Sequence, residues 1–326
     1  MNRFIRTALK SGALCFIAFA DTPAVHAQSA YPAKAIRILV GAPPGGSNDI
    51  LARAIGQRMS ESVGQPVVVE NRPGANQMIA ADLTAKAPPD GYTLYVTSTS
   101  YTTGAALMTK LPFDPVNDLA GITMLGFGPM VLVVHPSLPA KNTRELITLL
   151  RARPGQLNYT SSGVGGINHL AMEVLKSAAK IDIVHVPHKG MGPALTDLIA
   201  GQVQAVIVGL PSVEAHLKTG RLRTLGVSTA KRSAFAPALA PMADAVPGYD
   251  VSLWWGIFSA AKTPRPMMER LNAEIHKALA TTDIKKRFAD FGAEPSPMTP
   301  DAFSKVVREE IVKWSKVVKD NNIRPE

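Results

Sequence analysis

Two short stretches of this 326-residue chain concentrate residues suited to holding a ligand rather than reacting with it. The first is "GAPPGGSNDILAR" (41–53), where Ala42, Gly45, Gly46 and Ser47 lie between the apolar run "IRILV" and a helical period. The second is "YTSSGVGGINHL" (159–170), where Ser161, Ser162, Gly165, Gly166 and Asn168 lie between another strand-like run and another helix. Glycine lets a backbone approach a ligand closely. A helix N-terminus presents free N–H groups and the positive end of the helix dipole, so such a turn suits an anion. The first turn has no lysine, which a phosphate loop would normally carry. A carboxylate bears less charge than a triphosphate, and main-chain amides with hydroxyls can hold it. Each turn alone reads equally well as a strand–helix connection with a good cap. Two of them, each at a strand's carboxyl end, are a stronger signal, because ligands of open α/β sheets lie there. Two facing helix starts suit a ligand with an anionic group at each end.

The remaining reactive side chains do not spell an enzyme. No G-x-S-x-G elbow, P-loop or H-E-x-x-H is present, and "GVGGIN" and "GMGPAL" do not complete a dinucleotide fingerprint. An exported hydrolase needs a nucleophile, a base and an orienting acid, and the sequence shows no such set. His169, His185 and His188 invite a zinc reading. However, His185 and His188 flank Pro187 in an extended segment with no carboxylate close in sequence, so no metal or cofactor is expected. His185 alternates with apolar neighbours and reads as structural. His188 stands at a strand end before Lys189 and Gly190, a position open to a pocket. Were it to donate to a ligand as a cation, affinity would rise as pH falls below about 6.5. Trp254 and Trp255 read as core, with one of them near a chain crossing and able to wall a cleft.

The elements that must position these turns alternate along the chain. "IRILV" (36–40) reads as a buried strand. Ile50, Leu51, Ala54, Ile55, Met59 and Val63 then share a helical face until Gly64 and Pro66 stop the helix, and "VVVE" (67–70) completes a β-α-β unit with parallel strands. Further strands are read at "YTLYVTS", "MVLVV" (130–134), "LNYT", "DIVHV", "QAVIV", "RLRTLGVS" and "WWGIFSA". Asn142 with Glu145 caps the helix "TRELITLLRA". Thr299-Pro300-Asp301 opens a long C-terminal helix. The expected fold is α/β, with two doubly wound lobes and an interlobe cleft. The chain is expected to cross between lobes near 126–130 and 248–256. Residues 28–128 and 250–326 then form one lobe and 129–249 the other.

Composition narrows the setting. Residues 1–27 read as a secretory signal, with Arg3, Arg6 and Lys10, a short apolar stretch, and cleavage after Ala27. No other segment is long and apolar enough to be a transmembrane helix. The only cysteine, Cys15, lies in that signal, so thiol catalysis and cysteine–zinc sites are excluded from the mature chain. The formal charge is +10, and removing the signal with its three basic side chains and one acid leaves +8. The Lys and Arg are scattered without runs or aromatic interleaving, so nucleic acid is not an expected partner. A mildly attractive field for anionic small molecules fits better.

Taken together, "PPGGSNDILAR", "QPVVVENRPGA", "PPDGYTL", "LPFDPVNDL", "VLVVHPSLPA", "LNYTSSGVGG", "HVPHKG" and "GRLRTLGVSTAKRS" follow the order and spacing of the Bug family. This resemblance runs from about Tyr31 to the C-terminus. It implies a periplasmic receptor of the tripartite tricarboxylate transporter type that closes on a small organic anion like a Venus flytrap; the signal, the lack of later spans and the two lobes lead to the expectation of a monomer. It implies further partners in an inner-membrane permease or, alternatively, a membrane sensor kinase. In the family, the first glycine turn and the loop here spanning Thr97 to Ser100 hold a carboxylate, and the second turn holds the distal part of the ligand. Those roles fall on Ala42, Gly45, Gly46, Ser47, Thr97, Ser98, Ser161, Ser162, Gly165, Gly166 and Asn168. This chain departs from the pattern at three places. Ala42 stands where relatives often carry a bulky aromatic, His188 where many have tyrosine, and Val208 and Gly209 where many have an acid. A roomier, less acidic pocket follows, suited to a dicarboxylate or an aromatic carboxylate without an ammonium group.

Overall fold

Runs of Val, Ile and Leu too short for helices make the strands, and the amphipathic periods between them make helices that cover both sheet faces. The computed structural model describes residues 31–108 and 110–325. The secretory signal expected at 1–27 lies outside the described residues. In chain order the elements are β1 (Ile36–Val40), α1 (Ser47–Val63), β2 (Val67–Asn71), α2 (Met78–Ala85), β3 (Thr93–Ser98), α3 (Ser100–Leu107), β4 (Leu119–Val134), α4 (Thr143–Ala152), β5 (Asn158–Ser161), α5 (Ile167–Ala179), β6 (Val184–Pro187), α6 (Met191–Ile199), β7 (Ala205–Gly209), α7 (Glu214–Lys218), β8 (Arg223–Val227), β9 (Ser252–Ala260), α8 (Arg265–Leu279), α9 (Thr282–Asp290), β10 (Glu294–Pro295) and α10 (Pro300–Asp320).

The strand order is β2-β1-β3-β9-β4-β7-β5-β6, with β8 and β10 pairing to β4. The pairs β1–β2, β1–β3, β5–β6 and β5–β7 are parallel, as strands linked by a crossover helix must be. β9 runs antiparallel to both β3 and β4, and β4 runs antiparallel to β7 and β8. β4 keeps β9 as partner through Pro129 and takes β7 from Met130 onward. That register decides where the strand ends point. Ser98, the last residue of β3, lies opposite Trp255, which lies opposite Gly126 of β4. Gly209, the last residue of β7, lies opposite Met130. The carboxyl ends of the parallel strands in both halves therefore converge on the same few residues of β4.

Alternate residues of each strand feed cores on opposite faces. Ile38, Leu94 and Ile257 pack with α1 and α8 on one face of the first half, whereas Leu39, Tyr95 and Phe258 pack with α2, α3 and α10 on the other. In the second half, Leu132 and Ile207 pack with α4 and α5, and Val131 and Val206 with α6 and α7. The stripe Phe303, Val307 and Ile311 seats α10 on the first half, and Trp314 and Val318 carry it onto the core of the second. Glu310 on the same helix accepts hydrogen bonds from Trp254 Nε1 (2.7 Å) and Thr102 Oγ1 (2.9 Å), and burial pushes its carboxyl above the usual range.

Two elements differ from the sequence reading. The strand read at 130–134 begins at Leu119, because Gly121, Gly126 and Gly128 do not break it. They are places where other elements press onto it. A Cβ on Gly126 would lie 2.4 Å from the Phe288 ring and 2.5 Å from the Glu294 carbonyl oxygen. Helix α3, "SYTTGAAL", went unread because Ser, Thr and Gly carry little helix propensity. Gly126→Ala is expected to overpack this contact, since a backbone carbonyl cannot step aside. Chemical denaturation should show a loss of about 1–3 kcal/mol with an unchanged m-value.

Candidate functional site

The first turn leaves β1 at Val40 and enters α1 at Ser47. Gly45 takes a positive φ of 83°, which favours glycine. Gly46 is the N-cap, with φ −75° and ψ 166°, and no side chain caps the helix. Asp49, in the first turn of α1, fixes the loop from below. Its Oδ2 accepts the Gly45 N–H (2.9 Å), and its Oδ1 accepts from Asn71 (2.9 Å) and pairs with Arg53 (2.9 Å). Burial works against its charge, but Arg53, the Gly45 N–H and Asn71 together hold the carboxyl below the usual range. Asn71 also donates to the Ala42 carbonyl (3.0 Å). The Ser47 hydroxyl accepts from Trp255 Nε1 (3.0 Å), which ties the turn to β9. Both tryptophans are buried.

Thr97 and Ser98 end β3 beside this turn, both buried. Thr97 Oγ1 donates to Gln77 Oε1 (2.7 Å), and Asn48 Nδ2 donates to the same oxygen (3.0 Å). Gln77 did not figure among the sequence candidates. The turn-forming run "PGAN" before it was the available signal. Helix α3 follows β3 at once, and its last residue, Leu107, presses on the second turn. A Cβ on Gly165 would lie 2.2 Å from Leu107 Cδ2. Eight residues at 1.5 Å each make α3 a bridge of about 12 Å between the two turns.

The second turn repeats the first. Gly165 has φ 75°, and Gly166 caps α5 with φ −67° and ψ 157°, again with no side-chain cap. Asn168 accepts from the Ser162 hydroxyl (3.0 Å) and donates to the Ile207 carbonyl (2.7 Å), which fixes the turn against β7. Gly209 ends β7 with open space where a Cβ would be. Beneath the turn, His169 accepts the Gly165 N–H (3.0 Å) and stacks on His185, with ring centroids 3.9 Å apart. Burial, and then Lys176, bring His169 down to about 4; burial, and then His169, bring His185 down to about 3. Both rings are therefore neutral supports.

The sequence showed no nucleophile–base–acid set, yet the structure brings Thr160, His188 and Asp197 into that outline. His188 Nδ1 lies 2.8 Å from Thr160 Oγ1, and its Nε2 lies 2.8 Å from Asp197 Oδ2. Ser161 Oγ likewise lies 2.7 Å from His185 Nε2. Thr160 and Ser161 are both 0% exposed, and their hydroxyls also meet the Val186 (3.1 Å) and Gly163 (3.0 Å) carbonyls. Both ring nitrogens of His188 are engaged within the protein. These contacts brace the turn, and both hydroxyls are buried in it. A separate cavity of about 410 Å³, lined by Phe127, Pro129, Lys231, Arg232, Asp250 and Glu294, contains none of the sequence candidates. Among the described residues, no helix is long and apolar enough to cross a membrane.

Comparison with known proteins places the fold in a family. The family model described as tripartite tricarboxylate transporter family receptor matches residues 51–323. Protein BugT of Bordetella pertussis is 36% identical over 312 residues, covering 95% of this chain and 96% of BugT. Among solved structures, Rpa4515 of R. palustris with adipate superposes at a TM-score of 0.77 and 34% identity, covering 91% of this chain and all of that one. MatC (Rpa3494) from Rhodopseudomonas palustris with bound malate does so at 0.74 and 31%, covering 88% of this chain and all of that one. The periplasmic binding protein BugD gives 0.75 at 25% identity, covering 91% of this chain and all of BugD. The chain thus has the two-lobed α/β fold of periplasmic binding proteins and belongs to the tripartite tricarboxylate transporter receptor family.

Proposed function

We propose that this protein captures a small organic dianion in the periplasm and delivers it to the permease of a tripartite tricarboxylate-type transporter. One observation carries the reading: both turns place glycine at a helix N-cap where the fold does not demand it. Gly46 and Gly166 have ordinary backbone angles, and an added Cβ would meet nothing closer than 3.5 Å and 3.4 Å. A Ser, Asp or Asn cap would add stability at either place. Glycine there leaves the N–H groups open to a ligand instead. Asp49, Asn71, Ser162 and Asn168 are occupied in holding the turns, which favours the main chain as the larger part of the binding surface.

The ligand carries a negative charge at each end and no ammonium group, as a dicarboxylate does. Adipate in Rpa4515 and malate in MatC support that class. Lobes formed by 28–128 with 250–326 and by 129–249, closing about β4 and β9, would bring Ala42, Gly45, Gly46, Ser47, Thr97 and Ser98 to one carboxylate and the Ser161–Asn168 turn with Gly209 to the other. The buried hydroxyls at Thr160 and Ser161 support a receptor rather than an enzyme. Secretion through the segment 1–27, and a monomer in solution, belong to the same reading.

Calorimetric titration with the matched pair succinate and aspartate tests the class. Asp49, the acid of the first turn, is already paired with Arg53, so a buried ammonium would find no free carboxylate there. Aspartate should bind at least tenfold more weakly, about 1.4 kcal/mol; tighter aspartate binding overturns the reading. Gly46→Ala tests the turn. Its thermal midpoint should fall by no more than a few degrees, the cost of a poorer N-cap in a site with room for the Cβ, while adipate affinity falls at least tenfold. Unchanged affinity would remove Gly46 from the site.

A further inference from the structure

The segment between β2 and α2 holds three successive non-glycine residues in the left-handed region: Ala75 (φ 45°), Asn76 (φ 48°) and Gln77 (φ 73°). Asn tolerates this conformation, but Ala and Gln are strained in it. The surroundings hold the turn in place. The Gln77 N–H donates to the Gly74 carbonyl (2.9 Å), and the Gln77 carbonyl accepts from the Tyr95 hydroxyl (3.1 Å). Gly41 and Gly104 press on it from two sides. A Cβ on Gly41 would lie 2.5 Å from Gln77 Cβ, and one on Gly104 would lie 3.0 Å from the Asn76 carbonyl oxygen. Strain that the fold enforces in this way is characteristic of functional sites.

The result of that strain is the placement of one amide. Gln77 Oε1 accepts from Thr97 Oγ1 (2.7 Å) and Asn48 Nδ2 (3.0 Å), so both of its lone pairs are used and the amide plane is fixed. Asn48 lies in the first turn of α1, and Thr97 lies near the end of β3. The amide is therefore held between the helix start and the strand end that face the proposed ligand. Its Nε2 offers two N–H donors, which have no partner among the described residues, and the residue is half-buried. The nearest carboxylate of the turn, Asp49, is already committed to Gly45, Asn71 and Arg53.

We infer that Gln77 is a specificity-determining residue of the site, its Nε2 donating to a carboxylate oxygen of the ligand in the first half. The inference rests on the reading of the two turns as a carboxylate site and goes beyond it by naming a side-chain donor. A donor pair at a fixed position favours a carboxylate, which only accepts, and disfavours an ammonium, which only donates. The strained turn is thereby a specificity device: it gives up local backbone comfort to aim one amide.

Two variants test this by titration with adipate and succinate, beginning with the wild type. Gln77→Glu keeps the shape and the acceptor oxygen for Thr97 and Asn48 but replaces the donors with a charged oxygen. It should lose at least 100-fold in affinity for whichever of the two acids binds the wild type. Gln77→Gly removes the donor and relieves the backbone. Relief of the backbone offsets the acceptor lost to Thr97 and Asn48, so it should stay folded, with a melting temperature within a few degrees of the wild type, yet bind about tenfold more weakly or worse. Wild-type affinity in both variants would overturn the role of Gln77 and leave the carboxylate reading standing. Failure of the wild type to bind either acid would overturn that reading, and this inference with it.

Discussion

Strand β4 is the constraint on which the rest of the structure depends. Its sixteen residues send side chains into all four apolar cores: Ile122 and Leu125 into one, Leu119 and Met124 into a second, Met130, Leu132 and Val134 into a third, and Val131 and Val133 into the fourth. Each fully buried aliphatic side chain of this kind contributes roughly 1.5–3 kcal/mol. β4 changes its neighbour from β9 to β7 between Pro129 and Met130, and that change of partner sets the ends of β3 and β7 toward one another. The end of the sheet from which each glycine turn leaves follows from that strand order, before any side chain is considered.

Within each turn, charge and hydroxyl groups act as supports. Asp49 holds Gly45, Trp255 holds Ser47, Asn168 bridges Ser162 to β7, and the stacked neutral imidazoles of His169 and His185 lie under Gly165. Buried polar groups satisfied in this way fix geometry at little net cost in stability. Fixed geometry matters most for main-chain binding, since a backbone N–H cannot change rotamer to find its ligand. The outline formed by Thr160, His188 and Asp197 belongs to the same scheme, because its hydrogen bonds tie the end of β5 to α6.

The two turns were legible in the sequence because glycine, serine and asparagine beside an apolar run state their backbone needs locally. The strands β1, β3, β5 and β7 were legible for the same reason. The first eleven residues of β4 were not, because the glycines that break the local pattern are required by Phe288, Phe303 and Ala293, which lie more than 150 residues away in sequence. Gln77 was hidden differently. Its importance comes from a left-handed turn that Ala75 and Gln77 would not adopt alone, and only Gly41, Tyr95 and Gly104 from other elements make it hold. His188 read as a ring at a strand end in a position open to a pocket, and its partners there, Thr160 and Asp197, lie 28 residues before it and nine after it.

The central claim is that one dianion spans the two helix starts, held mainly by main-chain N–H groups. A crystal structure of the protein with adipate tests it most directly. The account predicts one carboxylate at the first turn of α1, within hydrogen-bond distance of N–H groups of the 46–49 segment, and the other at the turn from Ser162 into the first residues of α5. Adipate seated instead in the cavity lined by Lys231 and Arg232, or touching only one of the two turns, would contradict it.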